Sequence, residues 1–168
     1  MEDYVPTGPY VIGSGKRAGK TLENLMFDDY SHLIWLLNFL RNKAKGNSKN
    51  KLHTHLEWLL RRGQGRKPKM LCPHCKQRIV TRFSVLGGGS RGISVGAYYT
   101  CCDDDACKDK IDSEASGNSY RFLPFDFIVL KQFQAKFDQK QITDLFRCVF
   151  ELPKPLKKEK AFAFFNDD

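Results

Sequence analysis

Cys72-Pro73-His74-Cys75 and Cys101-Cys102-Asp103-Asp104-Asp105-Ala106-Cys107 decide how this chain is read. The first is a C-x2-C knuckle, a tight turn that aims two sulfur atoms at one point. The second comes after a stretch that reads as two strands, where a hairpin would deliver a partner pair. Cys102 and Cys107 have four residues between them, and Cys101 and Cys107 have five. Either gap lets a turn present two thiolates and complete a tetrahedron with Zn–S bonds of about 2.3 Å. A lone C-x2-C would equally suit a redox pair, but two knuckles flanking a glycine-tipped hairpin point to a metal. One zinc ion on Cys72, Cys75, Cys102 and Cys107 is therefore expected. Cys101 is the alternative third ligand, placed by preference at the end of its strand and facing inward. Four cysteines leave no open coordination position, so the metal is expected to be structural rather than catalytic. Lys76, Arg78, Lys108 and Lys110 stand beside the knuckles and can offset the excess negative charge. His74 is expected at the surface, and Cys148, among apolar residues of a helix, in the core.

Outward from the cysteines, residues 79–86 and 95–101 read as strands, rich in β-branched and aromatic side chains, with the glycine-rich tip 87–92 between them. On the N-terminal side, Gly63-Gln64-Gly65-Arg66-Lys67-Pro68-Lys69 has the composition of a linker. Before it come two helical stripes. Leu33, Leu36, Leu37 and Leu40 recur at helical spacing, with Ile34, Trp35 and Phe39 widening the face and Asp28 or Asp29 as cap; Leu52, Leu56, Leu59 and Leu60 form the second stripe, capped by Asn50. On the C-terminal side, Phe125, Ile128, Val129, Phe133 and Phe137 fit a helix with Pro124 at its start. Asp138 and Gln141 open a further helix carrying Ile142, Leu145, Phe146, Val149 and Phe150. The tail is basic, then aromatic, then acidic. It is expected to return to the chain's own core as a last strand, with docking on a larger protein machine as the alternative.

The expected organisation is thus a module at 4–62, a basic linker at 63–69, a zinc ribbon at 70–113, a helical segment at 120–152 and a tail at 153–168. The fold class is α+β: a small helical N-terminal module, a zinc-ribbon β-hairpin and a C-terminal helical segment.

Charge is uneven. The chain's formal charge is +9; residues 1–70 carry 13 Lys and Arg against 6 Asp and Glu, residues 71–168 carry 15 against 13. A basic N-terminal half suits a phosphate-bearing partner. The longest apolar runs fall far short of the roughly 20 residues of a membrane span, and Met1-Glu2-Asp3 is acidic where a secretory leader is basic. A cytoplasmic, reducing location is expected, in which thiols serve metals more readily than disulfides.

Gly13-Ser14-Gly15-Lys16-Arg17-Ala18-Gly19-Lys20-Thr21 invites comparison with the nucleotide-binding pattern GxxxxGK[ST]. Counting back from Gly19-Lys20-Thr21, the first glycine position is filled by Ser14, so the pattern fails. Nor does a strand end in an acidic residue that would hold Mg²⁺. Gly15-Lys16-x-x-Gly19-Lys20-Thr21-Leu22, then Asp29-Tyr30 and Trp35-Leu36-Leu37, instead resembles the small domain at the C-terminus of exonuclease X-like proteins. That domain also stands alone in short bacterial and phage proteins described as quorum-sensing-regulated virulence factors. Residues 52–60 look like its second leucine-rich helix, and the likeness spans about residues 10–62, with a longer spacer between Tyr30 and Trp35 than the family has. The resemblance implies an accessory module beside nucleic-acid chemistry, without the nuclease's acidic residues.

The expected function is a small, non-enzymatic, zinc-containing nucleic-acid-binding accessory protein, its ligand DNA or RNA. Lys16, Arg17, Lys20, Arg66, Lys67 and Lys69 would supply electrostatics, while Arg82, Arg91, Tyr98 and Tyr99 on the hairpin would touch backbone or stack on bases. The rival is a protein–protein adaptor in which zinc only stabilises and the aromatic tail docks. A nuclease would need carboxylates around a divalent ion, and the dense cluster Asp103-Asp104-Asp105 is expected to stay solvated inside the zinc turn.

Overall fold

The computed structural model describes residues 4–43, 50–86, 99–114, 120–132 and 136–167, with backbone alone for 86, 132 and 136–139. The chain is α+β. Its elements are α1 (Leu22–Asp28), α2 (Tyr30–Lys43), α3 (Lys51–Gly65), β1 (Arg82–Leu86), β2 (Thr100–Cys101), α4 (Asp105–Glu114), β3 (Tyr120–Pro124), a 3-10 helix (Phe127–Gln132), α5 (Lys136–Val149) and α6 (Lys158–Asn166). Two compact units emerge: Met1–Arg66 with Pro153–Asp168, and Lys67–Leu152.

The first unit is helical. Thr21 caps α1, its hydroxyl accepting the Asn24 N–H at 3.2 Å, so the helix that begins directly after the glycine-lysine loop is a short one, ending at Asp28. Asp29 accepts the His32 N–H and starts α2. The inward stripe of α2 is Tyr30, Leu33, Leu37 and Leu40. Trp35 and Phe39, expected to widen it, stay 58% and 41% exposed; each comes two positions after a stripe residue, which turns it about 200° around the helix. Asn50 caps α3 as expected, its side chain accepting the His53 N–H at 2.8 Å. The helix runs on through Gly65, so the first residues of the expected linker continue its last turn.

The tail is a helix rather than a strand. Ala161 and Phe165, one turn apart, are fully buried in α6, which packs on α1 and α3. Phe27 meets Phe164 and Phe165, both at 5.8 Å between ring centroids, and Trp58 meets Phe162 at 6.1 Å. Arg62 donates to the carbonyls of Phe165 (2.7 Å) and Asn166 (2.6 Å), satisfying C-terminal helix acceptors that would otherwise lack partners.

A polar hub lies at the centre of this unit. Glu23 and His55 are buried, with His55 Nε2 2.6 Å from Glu23 Oε1. Nε2–H donates to the carboxylate, which leaves Nδ1 to accept the Tyr4 hydroxyl at 3.0 Å. The Tyr10 N–H completes the set, 3.2 Å from both Glu23 oxygens. A carboxylate taken so far from water persists only when its acceptors are filled.

The second unit is built on a three-stranded antiparallel sheet in the order β2-β1-β3. In its register Arg82 faces both Cys101 and Pro124. Residues 95–98 of the expected second strand, and the 87–92 tip, lie outside the described residues. β3 and the 3-10 helix take the place of the single helix expected around Pro124. Pro124 ends the strand, and Phe125 then turns inward, its N–H donating to the Thr81 carbonyl at 3.1 Å. Phe83, Phe125 and Phe127 surround Phe146 of α5 at centroid distances of 5.9, 5.2 and 5.5 Å. Ile142, Val149 and Phe150 are buried beside Phe146 as expected, but Cys148 is exposed; it falls on the other side of the helix from that stripe. α5 itself begins at Lys136, ahead of the expected Asp138. The side chain of Phe137 and the whole of Phe133 lie outside the described residues.

Glu23→Ala would leave the buried imidazole and the Tyr10 N–H without their acceptor, and is expected to cost about 3 kcal/mol of stability. Urea denaturation monitored by the emission of Trp58, whose ring lies 5.2 Å from that of His55, would read the loss.

Candidate metal centre and nucleic-acid interface

The knuckle is a miniature hairpin. Leu71 and Ile79 pair across an antiparallel bridge, the Cys72 N–H donates to the Arg78 carbonyl at 2.7 Å, and the Val80 N–H donates to the Met70 carbonyl at 2.9 Å. At its tip Lys76 takes φ 55°, a left-handed conformation costing an L residue about 1 kcal/mol. That turn lets the Lys76 N–H reach the Cys72 carbonyl at 2.8 Å and sets Cys72 and Cys75 on one side.

The opposing pair is carried differently from expectation. Cys102 comes directly after β2, but Cys107 sits in the first turn of α4, so a helix rather than a turn delivers the fourth sulfur. Asp104 starts that helix by accepting the Ala106 N–H at 3.0 Å, and also pairs with Arg78 at 2.8 Å. One carboxylate thereby ties the helix start to the knuckle. Its neighbours are paired too: Asp103 with Arg82 at 2.5 Å and Asp105 with Lys108 at 2.7 Å. Asp103 and Asp105 are exposed, as expected of the cluster, and Asp104 is half-buried; each of the three carboxylates has its own cationic partner.

The sulfur atoms of Cys72, Cys75, Cys102 and Cys107 all lie within 4.8 Å of one another. Cys75 and Cys102 are 3.8 Å apart, close to the edge of about 3.8 Å of an ideal tetrahedron with 2.3 Å metal–sulfur bonds. These four groups can hold a metal ion. Their surroundings divide the four thiols into two pairs. Backbone N–H groups of Gln77 and Arg78 aimed at Cys75 lower its thiol to about 6. Cys72 is lowered as well, its burial outweighed by the N–H groups of Cys75, Cys102 and His74. Burial, then the neighbouring thiols, pushes Cys107 up to about 12, and Cys102 is raised for the same first reason. Once two sulfurs ionise, the others cannot do so without a positive charge between them. Cys101 stands apart: buried at the end of β2, it is pushed up to about 11 by burial and then by the charges of Cys72 and Cys102. His74 is not one of the clustered donors.

The residues expected to meet nucleic acid divide between the two units. In the first unit the glycine-lysine loop is a closed turn between Val11 and Thr21, which form a bridge. The Gly19 N–H donates to the Ile12 carbonyl and the Ala18 N–H to the Gly15 carbonyl, at 2.9 and 3.0 Å. Gly15 and Gly19 adopt φ of 82° and 80°, which accounts for glycine at both positions. Lys16 and Lys20 are exposed. Arg17 instead forms an ion pair with Asp29, fastening the loop to the start of α2. Arg66 is likewise engaged, donating to the Asp167 carbonyl and lying 5.3 Å over the Phe164 ring.

In the second unit Lys67 and Lys69 are exposed, and Arg82 pairs with Asp103. Tyr99 is half-buried, edge-on to Tyr120 at 5.6 Å. Arg91 and Tyr98 lie outside the described residues. A cleft of about 460 Å³ between the loop and α2, into which Trp35 opens, has no counterpart among the sequence-based expectations. Its sequence signal is the aromatic spacing His32, Trp35 and Phe39, which suits a core face equally well.

Cys101→Ser is expected to keep one bound metal ion per chain, whereas Cys102→Ser is expected to lose it; native mass spectrometry of the two variants would check this. Comparison with protein-family models, with curated proteins and with solved structures found no match for this chain.

Proposed function

We propose that this chain is a small, non-enzymatic, zinc-containing protein that binds nucleic acid as an accessory to other nucleic-acid chemistry. The observation that carries the reading is the glycine-shaped loop of the first unit. It presents Lys16 and Lys20 to solvent, and neither has an ion-pair partner among the described residues. Lysines held on a closed turn, on a chain of formal charge +9, suit phosphate groups. Zinc is the metal that fits best, because four thiolates in a closed tetrahedron satisfy it with no vacant position. Its role is to hold the second unit together. The likeness of residues 10–62 to the exonuclease X-associated module is in keeping with an accessory role. The adaptor reading loses support, since Phe164 and Phe165 of the tail serve the first unit's own core.

Gel-shift titrations with single- and double-stranded DNA and RNA test the proposal. Binding is expected at low salt and should weaken steeply between about 50 and 200 mM. Lys16→Ala should lower affinity for all sequences alike and reduce the salt slope by about 1. Chelation should release one zinc ion and unfold the second unit, seen as lost ellipticity. No binding to any nucleic acid at low salt would leave the adaptor reading in its place.

A further inference from the structure

The outward face of α2 carries a ladder of flat rings. His32 and Trp35 stack at 5.5 Å between centroids with 24° between their planes, and Trp35 and Phe39 at 5.5 Å with 14°. Lys43 extends the row, its ammonium 4.8 Å over the Phe39 ring. Such a ladder is costly to leave in water. Trp35 is 58% exposed although the same unit buries Trp58 to 6%, and large aromatic rings left outside a well-packed helical core mark contact surfaces.

The surroundings say what kind of contact. The 460 Å³ cleft is lined by His32 and Trp35 of α2 and by the loop residues Gly13, Gly15 and Lys16. None of the lining residues is acidic, and Lys16 brings a positive charge, whereas that of Arg17 is taken up by Asp29. The loop's own hydrogen bonds use the N–H groups of Ala18, Gly19 and Lys20, and no backbone acceptor engages those of Gly13 to Lys16 among the described residues. The volume falls within the roughly 300–1,000 Å³ typical of small-ligand sites. Flat rings beside a glycine-rich loop that carries an exposed lysine match the two halves of a nucleotide.

We propose that this cleft takes an unpaired nucleotide of a single-stranded nucleic acid. The base adds one more ring to the ladder at its His32–Trp35 end, and the phosphate meets Lys16 and the backbone N–H groups of the loop. This rests on the nucleic-acid reading above and deepens it, since duplex DNA, with its bases already stacked, would have no ring to offer.

The test uses the whole zinc-loaded chain and a short oligothymidylate at low salt. Trp35 is one of only two tryptophans and the exposed one, so stacking of thymine should quench the accessible part of the emission. Trp35→Ala should abolish that quenching and weaken binding about ten-fold, with the circular dichroism spectrum unchanged. Gly13→Leu supplies an independent check. Gly13 lines the cleft and a Cβ there meets no atom within 4 Å, so the change adds apolar bulk beside the proposed site without a clash; binding should fall, with Trp35 intact. A duplex of the same length should bind more weakly and be indifferent to both changes. If the oligonucleotide binds but both variants match the parent chain, the stacking site is overturned while the nucleic-acid reading stands. If no oligonucleotide binds the parent chain, both are overturned.

Discussion

The convergence of four sulfur atoms on one point is the constraint around which the second unit is arranged. Packed within 4.8 Å of one another, the thiols of Cys72, Cys75, Cys102 and Cys107 cannot all carry charge unless something positive sits between them. The surrounding chain is arranged for that condition. Backbone N–H groups of the knuckle point at the sulfurs of Cys72 and Cys75, the start of α4 lies at Cys107, and three arginine or lysine side chains hold the adjacent aspartates. Asp104 serves both halves, opening the helix that bears Cys107 and gripping Arg78 at the end of the knuckle. A metal ion in such a frame would add to the links already made by the Arg78–Asp104 pair and by the Thr81 N–H on the Cys101 carbonyl.

The first unit solves a different problem with a different device. Its centre is polar, yet the Glu23 carboxylate faces donors: His55 on one side and the Tyr10 backbone on the other. Those contacts join the N-terminal segment, α1 and α3 through one carboxylate. The glycine-lysine loop is closed by its own backbone bonds and by Arg17 on Asp29, which leaves Lys16 and Lys20 without internal work. The proposed phosphate contacts and the fastening of the loop therefore fall to neighbouring residues of one turn. Arg17 is the structural member of a trio that looks uniform in sequence.

The four-cysteine cluster is legible in the sequence because ligand chemistry leaves a fixed spacing, and because Cys101 and Cys102 occupy different places: one completes a strand, the other enters the turn leading to Cys107. The helices with strong stripes and side-chain caps are legible for the same reason. Asn50 and the leucines of α3 specify both a start and a face. Differences gather where a local signal has two meanings. Pro124 suits a helix start or a strand end, and only the pairing of β3 with β1 decides between them. The tail's alternation of alanine and phenylalanine suits a strand, but Ala161 and Phe165 also stand one helical turn apart, and the waiting surface of α1 and α3 selects the helix. Trp35 and Phe39 depart from expectation because hydrophobicity does not by itself imply burial. Cys148 departs similarly: its angle around α5, rather than its apolar neighbours in sequence, sets its exposure.

Because α6 belongs to the same unit as α1 and α3, the thiol-bearing unit is inserted within the linear sequence of the other. Synthesis from the N-terminus therefore completes every segment of the inserted unit before the last helix of its host has been made. Until then Phe27 and Trp58 lack the aromatic rings of α6 that pack on them. The order of maturation is written into the topology: the sulfur cluster can assemble first, and the loop-bearing unit finishes only when the final helix arrives.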